Sequence, residues 1–381
     1  MCNITKPERD LLASQRQARY DKKNTSALSK GREGSKDMIR FECDYGEGAH
    51  PKILEALVET NLEQTEGYGL DPHCNHAREL IRQACQAPEA GVEFLVGGTQ
   101  ANATVIAAIL RPYQGALCAQ TGHINVHETG AVEASGHKVL PLPAKDGKIT
   151  AQAIRQACET HWGDATHEHM VQPGLVYLSQ PTEEGTLYTR SELEDIRSVC
   201  DDYHLPLYID GARCGYGLGA EENDVALADL ARLASVFYIG GTKVGALFGE
   251  AVVIPDPAIR KDFRYMVKRM GGMLAKGRLL GIQFEVLFQD GLYEQLGRRA
   301  VSLAQKLADA FEAKDIPMLH KSPTNQQFPI LTKQQRDKLG EKYAFSFWQQ
   351  LDEDRAAVRF CTSWATREED VDALMADIQN L

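Results

Sequence analysis

The sequence predicts an α/β fold of the doubly covered kind, a mainly parallel sheet flanked by helices, followed by a smaller C-terminal α+β domain. Three observations predict it. Six short apolar runs, at 92–96, 116–119, 139–142, 175–178, 207–209 and 236–239, recur with helical patterns between most of them. Runs that are apolar throughout suit strands buried on both faces, which is the situation in a parallel sheet with helices packed above and below. Past Pro255 the rhythm changes to long helical stretches, about 256–269 and 277–312, and then to short mixed segments. The length, 381 residues, suits one large domain with a smaller companion.

Taken in order, residues 1–37 are polar and charged without sustained periodicity and read as a flexible N-terminal arm. A large domain is expected over 38–258. Pro51 opens its first helix, with Ile53, Leu54, Leu57 and Val58 following, and a second helix is expected over about 73–85. The helix after Leu187 begins with a capping box, Thr189 and Glu192, and turns Leu193, Ile196 and Val199 to one face. Connecting helices are expected over 259–290 and the small domain over 291–381. Its strands should lie near 328–331 and 358–362. Its last helix should be capped by Thr366 with Glu369 and turn Val371, Leu374 and Ile378 inward.

A formal net charge of −11 and the lack of a basic patch argue against nucleic acid or an anionic membrane as a partner. Nor does any apolar run approach the ~20 residues of a membrane-crossing helix. Nine cysteines, an odd count with no Cys-x-x-Cys pair, lead to an expectation of free thiols and a cytoplasmic location. Small molecules are the expected ligands.

In a parallel sheet such ligands sit beyond the carboxyl ends of the strands, so the residues closing each apolar run carry the information. Gly97-Gly98-Thr99 follows the first run and opens a helical pattern, an arrangement that offers free N–H groups and partial positive charge to a phosphate. An ordinary strand-to-helix turn with Thr99 as N-cap has the same pattern. His123 follows the second run, where an imidazole can stack on a planar ring or move a proton. Two other readings compete for it: a backbone-satisfied histidine, or a zinc site formed with His127, one helical turn on, and Glu128 beside it, for which no other strand end supplies an obvious further ligand. Asp210 ends the fifth run and should be buried, which requires a positive partner, either a ligand or simply Arg213. Lys243 closes Gly240-Gly241-Thr242-Lys243 after the sixth run. It is either a surface lysine or a desolvated amine able to attack a carbonyl. Pyridoxal phosphate requires all four together: a phosphate cup, a stacking ring, an acid at the pyridine nitrogen and an amine.

With these four in this order, the sequence resembles the threonine aldolase and beta-eliminating lyase family of fold type I pyridoxal-phosphate enzymes, from about Phe41 to the C-terminus. The resemblance implies that Lys243 is the Schiff-base lysine, Asp210 the partner of the pyridine nitrogen, and Arg213 a neighbour of the phenolic oxygen. Gly98 and Thr99 bind the phosphate, and His123 stacks on the ring. It further implies His169 as a second active-site histidine, so that His123 or His169 serves as base, and Arg359 as the grip on the substrate carboxylate. Cys43 takes a place near that carboxylate where serine is common. Tyr68, in Tyr68-Gly69-Leu70-Asp71-Pro72, belongs to a loop expected near a neighbouring subunit's site. The implied protein is a homodimer or homotetramer that cleaves threonine or allo-threonine to glycine and an aldehyde, with no metal. Beta-elimination and amino transfer on the same cofactor are the alternatives, and a non-catalytic cofactor-binding protein is a more distant one. Where many threonine aldolases read Gly-Gly-Met-Arg-Gln, this chain has Gly271-Gly272-Met273-Leu274-Ala275, with Lys276 and Arg278 as the nearby cations.

Overall fold

The computed structural model describes residues 38–381, so the arm expected over 1–37 lies outside the described residues. The strands, in chain order, are β1 Ile39–Arg40, β2 Gly91–Leu95, β3 Gln114–Ala119, β4 Lys138–Leu142, β5 Gln172–Ser179, β6 Leu207–Asp210, β7 Val236–Gly240, β8 Glu250–Ile254, β9 Gln326–Gln327, β10 Ile330–Thr332, β11 Tyr343–Ala344, β12 Ser346–Gln350 and β13 Arg355–Cys361. Seven of them form the central sheet in the order β2-β8-β7-β6-β5-β3-β4. All six expected runs are in it, and their mutual pairings are parallel. The exception is β8, which lies antiparallel between β7 and β2. The sequence reading passed over β8 because only a turn separates it from β7, which breaks the alternation of strand and helix.

The sheet is covered on both faces, and the alternation of side chains along a strand divides its residues between two cores. Ile209, Phe237 and Ile239 join Ile53, Ile81, Leu193 and Ile196 on one side. Tyr177, Tyr208, Val236 and Tyr238 join Val105 and Ile106 on the other. Tyr177 and Tyr208 are partners across β5 and β6, so three phenols from adjacent strands share one face. A buried phenol calls for a hydrogen-bond partner, and that need shapes the site below.

The helices Pro51–Glu59 and Pro72–Ala84 fall within a residue of expectation, and the capping box of Thr189 with Glu192 opens the helix Arg190–Asp202. Three expectations are corrected. The stretch 256–269 is two helices, Pro257–Arg260 and Phe263–Arg269, because Asp262 takes a left-handed backbone (φ 64°). The stretch 277–312 likewise divides into Arg278–Phe288 and Leu292–Glu312, at Asp290 (φ 56°) and Gly291 (φ 67°). The last helix, Glu368–Gln379, starts after Arg367 without a side-chain cap, since the Thr366 hydroxyl accepts instead from the Ser363 N–H. Val371, Leu374 and Ile378 do face inward.

The C-terminal layer is a four-stranded antiparallel arrangement of β9, β10, β12 and β13. It packs with Leu303, Leu307 and Phe311 into a third core that also takes in Phe41, because β1 pairs with β11. Among the described residues no helix is long and apolar enough to cross a membrane.

Candidate active site

A cavity of about 180 Å³ opens at the carboxyl ends of β2, β5, β6 and β7, lined among others by Gly98, Thr99, His123, Asp210, Arg213 and Lys243. Four separate strand-end signals therefore converge on one space. The helix Gly98–Ile109 opens with Gly97 as N-cap and no side-chain cap, so Thr99 is not the cap. The first intrahelical bond is donated by Ala101 to Gly97, and the N–H groups of Gly98, Thr99 and Gln100 have no partner among the described residues. They are free to receive an anion.

The Asp210 carboxylate is held by four hydrogen bonds. Its Oδ2 accepts from the Tyr177 hydroxyl at 2.6 Å and from Asn102 Nδ2 at 3.1 Å. Its Oδ1 accepts from the Tyr238 hydroxyl and from the Ala212 N–H at 2.9 Å. The Tyr208 hydroxyl donates to Asn102 Oδ1 at 2.7 Å, which fixes the amide so that Nδ2 also reaches Glu128 Oε1 at 2.6 Å. Glu128 in turn meets His123 Nδ1 at 2.8 Å. The network thus runs from the acid through Asn102 and Glu128 to the histidine. Burial would raise the Asp210 carboxyl, but the His123 charge and the phenol and backbone donors together keep it below the usual carboxylate range. Burial pulls His123 the other way, and the Glu128 hydrogen bond with the Asp210 charge outweighs it, so the ring keeps its proton above the ordinary histidine range.

Lys243 sits on a turn built by close approach. A Cβ on Gly240 would stand 2.4 Å from the Ala212 carbonyl oxygen, and one on Gly241 2.8 Å from that of Gly249, so only glycines let β7 pass so near its neighbours. The Lys243 amine has no hydrogen-bond or ion-pair partner among the described residues. Burial first and the Arg213 charge second push it below the ordinary lysine range, against the pull of Asp44, Asp210 and Glu250. Arg213 does not pair with Asp210, the simpler of the two partners considered for that acid. It is held by Asp44, with Nε to Oδ2 at 2.7 Å and Nη2 to Oδ1 at 3.1 Å, and Asp44 falls to about 2, burial opposing and Arg213 prevailing.

The remaining expected residues do not line the cavity. Arg359, on β13, donates from Nη2 to the Glu42 carbonyl at 3.0 Å and from Nη1 to Gln326 at 3.2 Å, with its buried Nε unpartnered. Cys43 is half-buried nearby, its thiol pushed up by burial. Tyr68 is 47% exposed and donates its N–H to the Ala275 carbonyl. Arg278 is occupied by the Thr60 and Asn61 carbonyls, which leaves Lys276 as the exposed cation of that loop. His169 lies apart from the cavity of this chain. It is exposed on the short 3-10 helix His167–His169, just before β5, and therefore at the amino end of a strand whose carboxyl end meets the cavity.

The profile of the beta-eliminating lyase family matches residues 46–334. The chain belongs to that family. It is 30% identical over 349 residues to a low specificity L-threonine aldolase of Pseudomonas aeruginosa, covering 89% of this chain and 97% of that one. A low specificity L-threonine aldolase of Saccharomyces cerevisiae is 27% identical over 77% of this chain and 75% of its own. Among solved structures, the threonine aldolase of Leishmania major is 42% identical, with a TM-score of 0.87 over 90% of this chain and 99% of that one. An aspartate aminotransferase of Thermus thermophilus, 14% identical with a TM-score of 0.66 over 94% of this chain and 95% of that one, shares the fold.

Several residues of this family member's site were missed in the sequence. Glu183 and Glu250 both line the cavity. Glu250 accepts from the Thr242 hydroxyl at 2.8 Å and the Gly241 N–H at 3.1 Å, and burial pushes it up to about 8. The available signal was a glutamate opening an apolar run, which a buried carboxyl next to a candidate lysine would have explained. For Asn102 and Asp44 there was no such signal, and Glu128, considered as a zinc ligand beside His123 and His127, instead holds His123 Nδ1.

Proposed function

We propose that the chain is a pyridoxal-phosphate-dependent aldolase that cleaves L-threonine or L-allo-threonine, and similar β-hydroxy-α-amino acids, between Cα and Cβ to give glycine and an aldehyde. The observation that carries the reading is the unpartnered Lys243 amine in the same cavity as the Asp210 carboxylate and three free N–H groups. The named threonine aldolases to which the chain is similar support the reaction.

The residues present fit the cofactor. The N–H groups of Gly98 and Thr99 and the helix behind them would take the phosphate. Asp210, held ionised by four donors, would keep a proton at the ring nitrogen. Arg213, fixed by Asp44, would face the phenolic oxygen, and the His123 ring would lie against the pyridine. Bound there, pyridoxal phosphate supplies the electron sink that stabilises the pair released at Cα.

The protein's own work is then to bind, orient and move protons. Lys243 offers an amine that gives up its proton more readily than an exposed lysine, because burial and Arg213 disfavour the ammonium form. Arg359, with a free Nε, offers a charged donor to the substrate carboxylate, which fixes the bond to be broken relative to the ring. Cys43 flanks that carboxylate pocket, and Tyr68 lies on the exposed loop that would meet a second subunit of a homodimer or homotetramer. The free state of all eight described cysteines supports a cytoplasmic enzyme.

The test is the product formed from L-threonine by the purified, cofactor-loaded protein. Glycine and acetaldehyde in equal amounts are expected. 2-Oxobutyrate with ammonia would instead make it a beta-eliminating enzyme, and amino transfer to a keto acid would make it an aminotransferase.

A further inference from the structure

The proton that must leave the β-hydroxyl needs an acceptor, and neither histidine expected for that role suits it. His169 is at the far end of β5. His123 has Nδ1 committed to Glu128, and, against burial, that bond with the Asp210 charge raises the ring above the ordinary histidine range. The cavity contains another group, Glu183, on the loop that leaves β5. Its Oε1 accepts from the Ser179 hydroxyl at 2.6 Å and from the His123 backbone N–H at 2.9 Å. Its Oε2 is buried and has no partner.

The loop is rigid enough to aim it. Thr182 and Thr186 join through their hydroxyls at 2.7 Å and through a backbone bond at 2.9 Å, and Thr186 reaches the Asp146 carbonyl at 2.6 Å. From the C-terminal layer, Ser322 and Thr324 donate to the Gly185 carbonyl. A buried carboxyl oxygen held in place on both sides of its loop and left unpaired in a cavity is costly unless a ligand group completes it.

We propose that Glu183 is a further catalytic residue of the aldol cleavage, the base whose Oε2 takes the proton of the substrate's β-hydroxyl. The inference rests on the aldolase reading above. Oε2 forms a bond to that proton, the O–H pair becomes the second bond of the aldehyde carbonyl, and the Cα–Cβ bond breaks with its pair left at Cα. A proton then adds at Cα to give glycine, so one proton leaves oxygen and one returns to carbon. Burial raises the Glu183 carboxyl, Ser179 opposing, which brings it closer to neutrality than an exposed glutamate and improves it as a base.

The test is Glu183→Gln, whose Oε1 still accepts from Ser179 and His123 but which cannot take a proton. Affinity of the apo-protein for pyridoxal phosphate and exchange of the glycine α-proton with solvent deuterium, which needs no hydroxyl, should stay within about twofold of wild type. Cleavage of L-threonine should fall roughly 10²- to 10⁴-fold. Cleavage near the wild-type rate would overturn the proposal, and so would a parallel fall in cleavage and exchange. Should the glutamine variant fail to fold or to bind cofactor, Glu183→Asp is judged by the same two rates, with cleavage expected to fall at least about tenfold more than exchange and equal falls overturning the idea. Wild type that makes no glycine from threonine contradicts the aldolase reading instead.

Discussion

The floor and the rim of the cavity are built on opposite principles. On the floor, Asp210, Asn102, Glu128, His123 and three tyrosines form one connected set of hydrogen bonds, buried beneath the sheet's carboxyl edge. At the rim, beyond the residues that line the cavity, Arg359 keeps an unpartnered Nε, Cys43 is half-buried and Tyr68 is half-exposed. A connected network of buried hydrogen bonds fixes charge and geometry before any ligand arrives, which suits a cofactor whose electronics must be constant. A charged donor left unfilled, as on Arg359, suits a substrate that comes and goes. The difference teaches that the connected polar network is completed within the large sheet, while the donor left without a partner belongs to the C-terminal layer.

Substitutions on the floor should abolish chemistry and those at the rim should weaken binding. The largest effect is expected from Lys243→Ala, with turnover of threonine down by roughly 10⁴ or more and the yellow chromophore of the loaded protein altered. Near-normal turnover would break the comparison at its root. Asp210→Asn removes a preorganised charge and should cost about 10²- to 10³-fold in kcat, read at saturating cofactor. Arg359→Ala removes a charged donor worth about 1.5–3 kcal/mol, so KM for threonine should rise roughly 10- to 100-fold with kcat little changed. A fall in kcat without a change in KM would move Arg359 from the rim to the floor.

The smallest effect sharpens the floor itself. Glu250 has its folded value raised from 4.5 to about 8, so the folded state holds its proton more tightly than the unfolded chain does. The sign follows from linkage: its contribution is fully present below 4.5 and is lost as pH rises to about 8. The apo-protein should therefore lose stability relative to Glu250→Gln across that window, by on the order of 1–3 kcal/mol, in denaturant titrations at stepped pH. Parallel stability curves for the two proteins would show that Glu250 is ionised throughout.

The fold was largely legible because each parallel strand is a short, wholly apolar run, and four cavity residues could be named because each lies directly beyond one. What escaped depends on pairings across the chain. Asn102 meets Asp210 over a separation of 108 residues, and Arg213 meets Asp44 over 169, and no local pattern carries such contacts. The three tyrosines gave a partial signal, since phenols inside apolar strands need partners, but register is needed to bring them together. Glu250 was hidden with β8, whose antiparallel turn breaks the periodicity. His169 precedes a parallel strand, which places it at the amino end of the sheet in this chain. The breaks at Asp262 and Asp290 come from left-handed backbone that aspartate tolerates and helical periodicity does not show.

Borohydride reduction of the loaded protein followed by peptide mass mapping tests the central claim, that Lys243 is the point at which the floor holds its cofactor. One phosphopyridoxyl group on the peptide containing Lys243 is the expected result, and a label on any other lysine, or none, would contradict it.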